Sequence, residues 1–270
     1  MDFSILANIM NQEIDQNKFN NQDKLISILK EKGSELFNKP FEKIDFTKNP
    51  EIDEVLNNIE RYPHLYVLAC VMDRQIKAER AWSIPYEVSK EIGSFEFTSL
   101  FKLKEQKIKE IFVSRNLHRF NKDMSKYFYL TIQRIHNNYA NNASNIWKGK
   151  PSSATIVKRF LEFDGAGVKI ATMAANILAR DFKIPMRDYF SIDISPDVHI
   201  TRVFTRLRFI TNSSNIEMLI YTARELNPEW PGIFDLPCWQ IGRNWCNPKD
   251  PICKDCYLTN FCPKFMNFNI

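Results

Sequence analysis

Apolar residues recur at three- and four-residue spacing through most of the chain. In EIDEVLNNIERYPHLYVLACVMDRQI (51–76) the pattern breaks at Pro63, which predicts a helix on each side of that proline. The same spacing predicts helices in SLFKLKEQKIKEIFV (99–113), SKYFYLTIQRIHNNYANNASNIW (125–147), SATIVKRFLEF (153–163), VKIATMAANILARDF (168–182) and DVHITRVFTRLRFI (197–210). Alternation of the strand type is weak, and YFSIDIS (189–195) is its best instance. There is no internal repeat and no low-complexity linker. The expected fold class is therefore all-α: a two-lobed helical fold with short connections. One lobe is expected over 51–185. The other combines 1–50 with 186–270.

Composition narrows this picture only slightly. A hydrophobic content of 44% in 270 residues is enough for a sizeable core. No apolar run is long enough to cross a bilayer, and the N-terminus lacks the basic and small-residue marks of a signal peptide. A cytoplasmic protein without a membrane partner is expected. The net charge of +5 agrees with a polyanionic partner but does not require one.

Two motifs change the picture. The first is FLEFDGAGVKIA, where two of only seven glycines, Gly165 and Gly167, separate one apolar helix from the next. Such a turn makes a tight helix–hairpin–helix and turns free N–H groups outward at the start of the second helix, where an anion can bind. Read plainly, it is only a helix–helix turn. The second motif is CNPKDPICKDCYLTNFC, which places Cys246, Cys253, Cys256 and Cys262 in the spacing C-x6-C-x2-C-x5-C. Four thiols so close in sequence converge on one centre, either a tetrahedral zinc ion or a [4Fe–4S] cluster. The single close pair and the two longer arms suit the larger object. Cys70, inside LYVLACVM, reads as a small buried hydrophobe. Cys238 lies outside the spacing.

Together these motifs resemble endonuclease III and its relatives, DNA glycosylases of the helix–hairpin–helix superfamily with a C-terminal [4Fe–4S] loop. FDGAGVKIA resembles that family's L-P-G-x-G-x-K-x-A, and SPDVHITRV resembles its V-D-x-H-x-x-R-V. The resemblance implies a catalytic Lys169 and Asp197, with His199 and Arg202 in register. It implies DNA contacts by Gly165 and Gly167. It implies a [4Fe–4S] cluster held by Cys246, Cys253, Cys256 and Cys262, with Lys249 and Lys254 beside it against DNA. VLACVMDRQIKA resembles the segment whose glutamine enters the base stack, which implies that role for Gln75. Asp164 stands where the family has proline, as a possible cap of the second hairpin helix. The stretch from Lys169 to Asp197 is longer than in endonuclease III. VKIA and PDVH are nearer to the 8-oxoguanine branch, which lacks the cluster. The target base is carried over from neither branch.

The chemistry agrees with these roles. Cleaving an N-glycosidic bond passes through an oxocarbenium-like sugar, which a carboxylate stabilises. A neutral lysine amine attacks C1′ and forms an imine, from which β-elimination follows. Its place in the first helical turn and partial burial were expected to favour the neutral form. A duplex base reaches such a site only when flipped. The expected activity is a DNA glycosylase, bifunctional with abasic-site lyase activity, acting as a monomer on double-stranded DNA that contains an altered base. The alternatives are a monofunctional glycosylase, including one of hypermodified phage bases, and a non-catalytic iron–sulfur DNA-binding protein. Each residue alone has a plainer reading: a solvated lysine, an aspartate that only caps a helix. Asp193 is the reserve for Asp197. Lys148, Lys150, Lys158 and Arg159 flank the hairpin as phosphate contacts or as a solvated helix face.

Overall fold

The computed structural model describes residues 3–211 and 215–265, with side chains from residue 21 onward. The described residues are helical with no strand, so the fold class is all-α. They divide into two units. One joins Met1–Asn38 to Asp193–Ile270, and the other is Lys39–Ile192. The sequence placed these boundaries at 51 and 185. Segment 39–50 is fastened to the following helix by Asn57, which accepts from Ile44 N (2.8 Å) and donates to Ile44 O (2.9 Å). Phe46 also stacks on Trp82, with ring centroids 4.1 Å apart. Residues 186–192 return to the hairpin through Arg187 N to Pro151 O (3.0 Å) and Ser191 N to Ser153 Oγ (3.0 Å).

In the Lys39–Ile192 unit the elements run α2 (Pro50–Asn57), α3 (Pro63–Met72), α4 (Ala78–Glu91), α5 (Phe97–Phe101), α6 (Glu105–Ser114), α7 (Asn121–Tyr139), α8 (Ser153–Leu161) and α9 (Val168–Arg180), after α1 (Phe3–Asn38) of the other unit. Pro63 opens α3, as a proline at the first helical position should. Every residue of α3 is buried, so it is the central helix rather than an amphipathic surface one. Tyr66 donates its hydroxyl to Ala174 O (2.8 Å) and ties α3 to α9. Apolar spacing does not signal α4, because Pro85 sits inside it. Burial of Trp82, Ile84, Tyr86 and Val88 outweighs the hydrogen bond the proline removes. The segment read as one pattern over 125–147 is two pieces. Ala140 at φ 50° ends α7, and a short 3-10 turn follows at Ala143–Ile146.

The other unit contains α1, α10 (Val198–Arg206), α11 (Ile216–Leu226) and α12 (Asp235–Asn244). Leu25 and Leu29 of α1 share a core with Val203, Phe204, Leu219, Phe234, Ile241 and Leu258. Cys246, Cys256 and Cys262 pack against the same core. The stretch 189–195 is not a strand. No second extended segment pairs with it among the described residues, and its amide at Ser195 bonds to the Asp235 carboxylate instead (2.7 Å).

The close approach of α10 and α12 makes one glycine indispensable. A Cβ on Gly242 would stand 2.7 Å from His199 Cβ and 2.9 Å from the backbone oxygen of His199. Gly167 has no atom near its missing Cβ. Gly242→Ala is expected to lower stability by about 1–3 kcal/mol, and Gly167→Ala by about 0.5 kcal/mol or less, read as thermal midpoints of the two variants.

Candidate functional site

The hairpin lies in the Lys39–Ile192 unit. Helix α8 ends at Leu161, the turn runs to Gly167, and α9 starts at Val168. Gly165 takes φ +86°, and a Cβ there would lie 2.8 Å from the Tyr127 ring. Both conformation and space therefore call for glycine. Gly167 is the N-cap of α9 and supplies no side-chain bond. Asp164 does not cap the helix; the carboxylate is exposed and four residues upstream of the first helical residue. The amides of Gly167, Val168 and Lys169 find no acceptor among the described residues, as expected for a helix start that offers its N–H groups outward. Of the flanking basic residues, Arg159 is engaged inward, donating to Ile146 O (2.6 Å). Lys158 is 79% exposed beside Glu162.

Lys169 projects from the first turn of α9, and its Nζ meets Asp73 Oδ2 at 3.1 Å. The lysine side chain is 36% exposed, and the aspartate 9%. The sequence reading missed Asp73, although it stands two residues before Gln75. Asp73 caps the C-terminus of α3, so a buried helix holds it in place. Gln75 itself is exposed, with φ +54°. A glutamine in the left-handed region is strained, and such residues cluster at ligand-contacting loops. Two neighbours hold this loop. Arg74 lies over the Tyr127 ring at 5.8 Å, the ring that also packs on Gly165. His118 is buried against the backbone of Met72 and Arg74, and burial lowers its pKa.

In the other unit Asp197 is the N-cap of α10. Its Oδ1 accepts from His199 N (2.7 Å) and Ile200 N (3.3 Å). Its second oxygen has no hydrogen bond among the described residues, and the side chain is half-buried. Asp193, the reserve candidate, is engaged differently. Both its oxygens are matched by Arg224, at 2.7 and 2.8 Å. His199 meets Arg202 Nη2 through Nδ1 (3.0 Å), a positioning contact rather than a free base.

Helix α10 also reaches the cysteine loop. Arg202 is 5% exposed and donates to Cys246 O (2.6 Å) and Gly242 O (2.8 Å). Arg206, 4% exposed, donates to Cys246 Sγ (3.2 Å), Asn247 O (2.7 Å) and Pro248 O (2.8 Å), while its buried Nε has no partner. Cys246, Cys253, Cys256 and Cys262 line one cavity, with Arg206, Val203, Ile241 and Leu258 among its walls. No group of three His, Cys, Asp or Glu among the described residues is arranged to hold a single metal ion. Burial pushes the pKa of Cys256 and Cys262 up, with a smaller push from the neighbouring thiols, although backbone amides oppose it. Lys249 and Lys254 are exposed on the same loop.

The remaining histidines are structural. His64 is buried against Phe95 O, with its pKa pushed down to about 4 by that burial. His136 stacks on Phe101. No helix among the described residues is long and apolar enough to cross a membrane.

No protein-family model matches this chain, and no curated protein does. Solved structures that share its fold include the following three. One is a trapped covalent endonuclease III–DNA intermediate with an estranged adenine: TM-score 0.56, 16% identity, covering 79% of this chain and 92% of that one. Another is a non-covalent endonuclease III–DNA complex, with TM-score 0.55, 16% identity and the same coverage. The third is a thermostable thymine-DNA glycosylase, with TM-score 0.59 and 14% identity over 91% of this chain and 97% of that one. At such identities the likeness is one of fold: the described residues share the helical fold of these endonuclease III and thymine-DNA glycosylase structures.

The two candidate aspartates separate by what each touches. Asp193→Asn breaks a bidentate ion pair at a buried carboxylate. It is expected to lower stability by about 1–3 kcal/mol, seen as a fall in thermal midpoint.

Proposed function

We propose that this protein is a DNA glycosylase that flips an altered base out of duplex DNA and releases it, with abasic-site lyase activity at Lys169. The observation that carries the proposal is the conjunction, on a glycosylase fold, of a lysine in the first turn after the glycine hairpin and an N-cap aspartate with a free oxygen. In this reading the α9 amides and the Gly165–Gly167 turn hold a backbone phosphate. Gln75 occupies the gap left by the flipped base. Asp197 keeps its charge beside the sugar cation while its other oxygen secures α10. The Lys169 amine bonds to C1′, and β-elimination of the 3′ phosphate follows from the imine. The solved relatives include two endonuclease III–DNA complexes, which supports double-stranded DNA as the partner. A cytoplasmic, nucleoid-associated monomer fits this role.

The cysteine loop fits a [4Fe–4S] cluster. Four thiols stand around a cavity instead of meeting at a point, whereas a tetrahedral zinc ion draws its sulfurs to about 2.3 Å of one centre. The buried Arg206 guanidinium faces the same cavity with no carboxylate bonded to it among the described residues and one N–H unsatisfied, a charge that an anionic cluster would balance. Cys246, Cys253, Cys256 and Cys262 would hold the cluster, which when bound supplies a cross-link between α12 and the last loop. Lys249 and Lys254 are thereby offered to phosphates.

Two outcomes are expected. The purified protein is brown, with on the order of four irons per chain; a colourless protein with one zinc contradicts the cluster. On a duplex with one abasic site, borohydride traps a covalent complex, and Lys169→Ala abolishes it. Asp197→Asn lowers base release by about 10²–10³-fold while the fold persists, since asparagine still caps a helix. A trapped complex undiminished in Lys169→Ala overturns the assignment of the lysine.

A further inference from the structure

Among the described residues four aspartates are buried: Asp53, Asp73, Asp193 and Asp235. Three have an evident structural task. Asp53 accepts from the Thr47 amide and hydroxyl at 2.9 and 2.8 Å. Asp193 is matched at both oxygens by Arg224. Asp235 accepts the Ser195 amide at 2.7 Å. Asp73 differs. It is 7% exposed, and its one hydrogen-bond partner among the described residues is the Lys169 amine. Its Oδ1 has none. Asp53 also leaves one oxygen without a partner among the described residues, but its other oxygen is held by two donors of its own loop, whereas the one side-chain partner of Asp73 is an amine 96 positions away. A carboxylate that carries a proton from an amine to an oxygen forming beside it needs one contact to that amine within hydrogen-bond reach.

We propose that Asp73 is the proton shuttle of the imine-forming step at Lys169. The inference rests on the lyase reading above and goes beyond it by assigning a second catalytic group. The abasic sugar in its open form is an aldehyde at C1′. The Lys169 ammonium gives one proton to Asp73 Oδ2, so an N–H bond breaks and an O–H bond forms. The freed lone pair bonds to C1′, and the carbonyl electron pair moves to oxygen. A second proton passes from nitrogen to that oxygen, which gives the carbinolamine. Asp73 then returns its stored proton to the carbinolamine hydroxyl, the C–O bond breaks, and water leaves. One ammonium and one aldehyde have become one protonated imine and one water. Asp73 ends as it began, a carboxylate. No oxidant, reductant or further reactant is needed.

The location supports this assignment. Asp73 caps α3, a helix buried on every side, so its carboxylate is fixed rather than carried on a mobile arm. It is two residues from the strained Gln75, so the loop that would fill the emptied stack also carries the group that serves the amine. The contact of 3.1 Å is within reach of direct proton transfer.

The test is the rate of borohydride-trapped adduct on a duplex with a single abasic site, under single-turnover conditions with saturating protein. Asp73→Asn keeps the side chain's size and one acceptor oxygen but accepts no proton at working pH. Adduct formation is expected to slow by about 10²-fold, within the range for loss of a general acid–base group. Asp73→Ala is expected to be accelerated by added formate, a small carboxylate that can take over the transfer, while Lys169→Ala stays unreactive with or without it. A purely structural carboxylate would not respond to formate. Trapping by Asp73→Asn within about threefold of the parent, or indifference of a duplex-binding Asp73→Ala to formate, overturns the inference and leaves the lyase reading standing. A parent protein that forms no adduct at all brings down the lyase reading, and the inference falls with it.

Discussion

The most demanding interaction in the Asp193–Ile270 part of the chain is the burial of two arginines on one face of α10. Arg202 and Arg206 are each about 95% withdrawn from water. An uncompensated buried charge costs several kcal/mol, and neither guanidinium forms a salt bridge among the described residues. Their donors instead go to the chain around Cys246, to Gly242 O, Cys246 O, Asn247 O, Pro248 O and Cys246 Sγ. Two consequences follow. The loop that starts at Cys246 is anchored by charge before any metal is considered. And α10 is fixed against α12, with Gly242 making the close approach possible. Asp197 caps that same helix, so its position is set by the same contacts. Nine residues of helix, about 13 Å, separate the carboxylate from Arg206. An anionic cluster between the thiols would complete this charge balance, and its loss would loosen the helix on which Asp197 depends.

The other unit solves an equivalent problem with apolar packing. Helix α3 has no exposed face, which makes its C-terminal end a fixed point. Asp73, Arg74 and Gln75 follow immediately, and each is directed by a neighbour or by strain: Lys169, Tyr127 and a left-handed backbone, respectively. Functional groups placed at the ends of rigid elements keep their geometry without needing large local structure around them. Tyr127 links the two halves of this arrangement, because its ring packs both on the arginine beside Gln75 and on the glycine that turns the hairpin.

Much of this was legible in the sequence. Helical periodicity found α6, α7, α8, α9 and α10, because each has an apolar stripe on a core; α3, buried on every side, was legible from its apolar residues after Pro63. It missed α4, whose internal proline is a breaking signal that burial of Trp82 and Tyr86 overrides. It left 189–195 as a possible strand, since alternation records burial of one face and not the presence of a pairing partner. The glycine hairpin and the cysteine spacing were found because both are short-range patterns. Asp73 was not, because its meaning comes from a lysine 96 positions away. The only signal was an aspartate directly after an apolar helix and beside the proposed stack-filling glutamine. The arginines of α10 were legible as a register match and not as buried charges, since nothing in DVHITRVFTRL tells that both guanidiniums point inward.

The central claim is that this fold removes a base from DNA. The most direct measurement is the release of free base, identified by mass, from a panel of duplexes that each contain one altered nucleotide, among them oxidised pyrimidines, deaminated and mismatched bases, 8-oxoguanine and hypermodified cytosines. The account predicts free base from at least one member, and none from the same duplex with the Asp197→Asn protein. Tight binding to the panel without any base released would contradict it and leave a DNA-binding protein on a glycosylase fold.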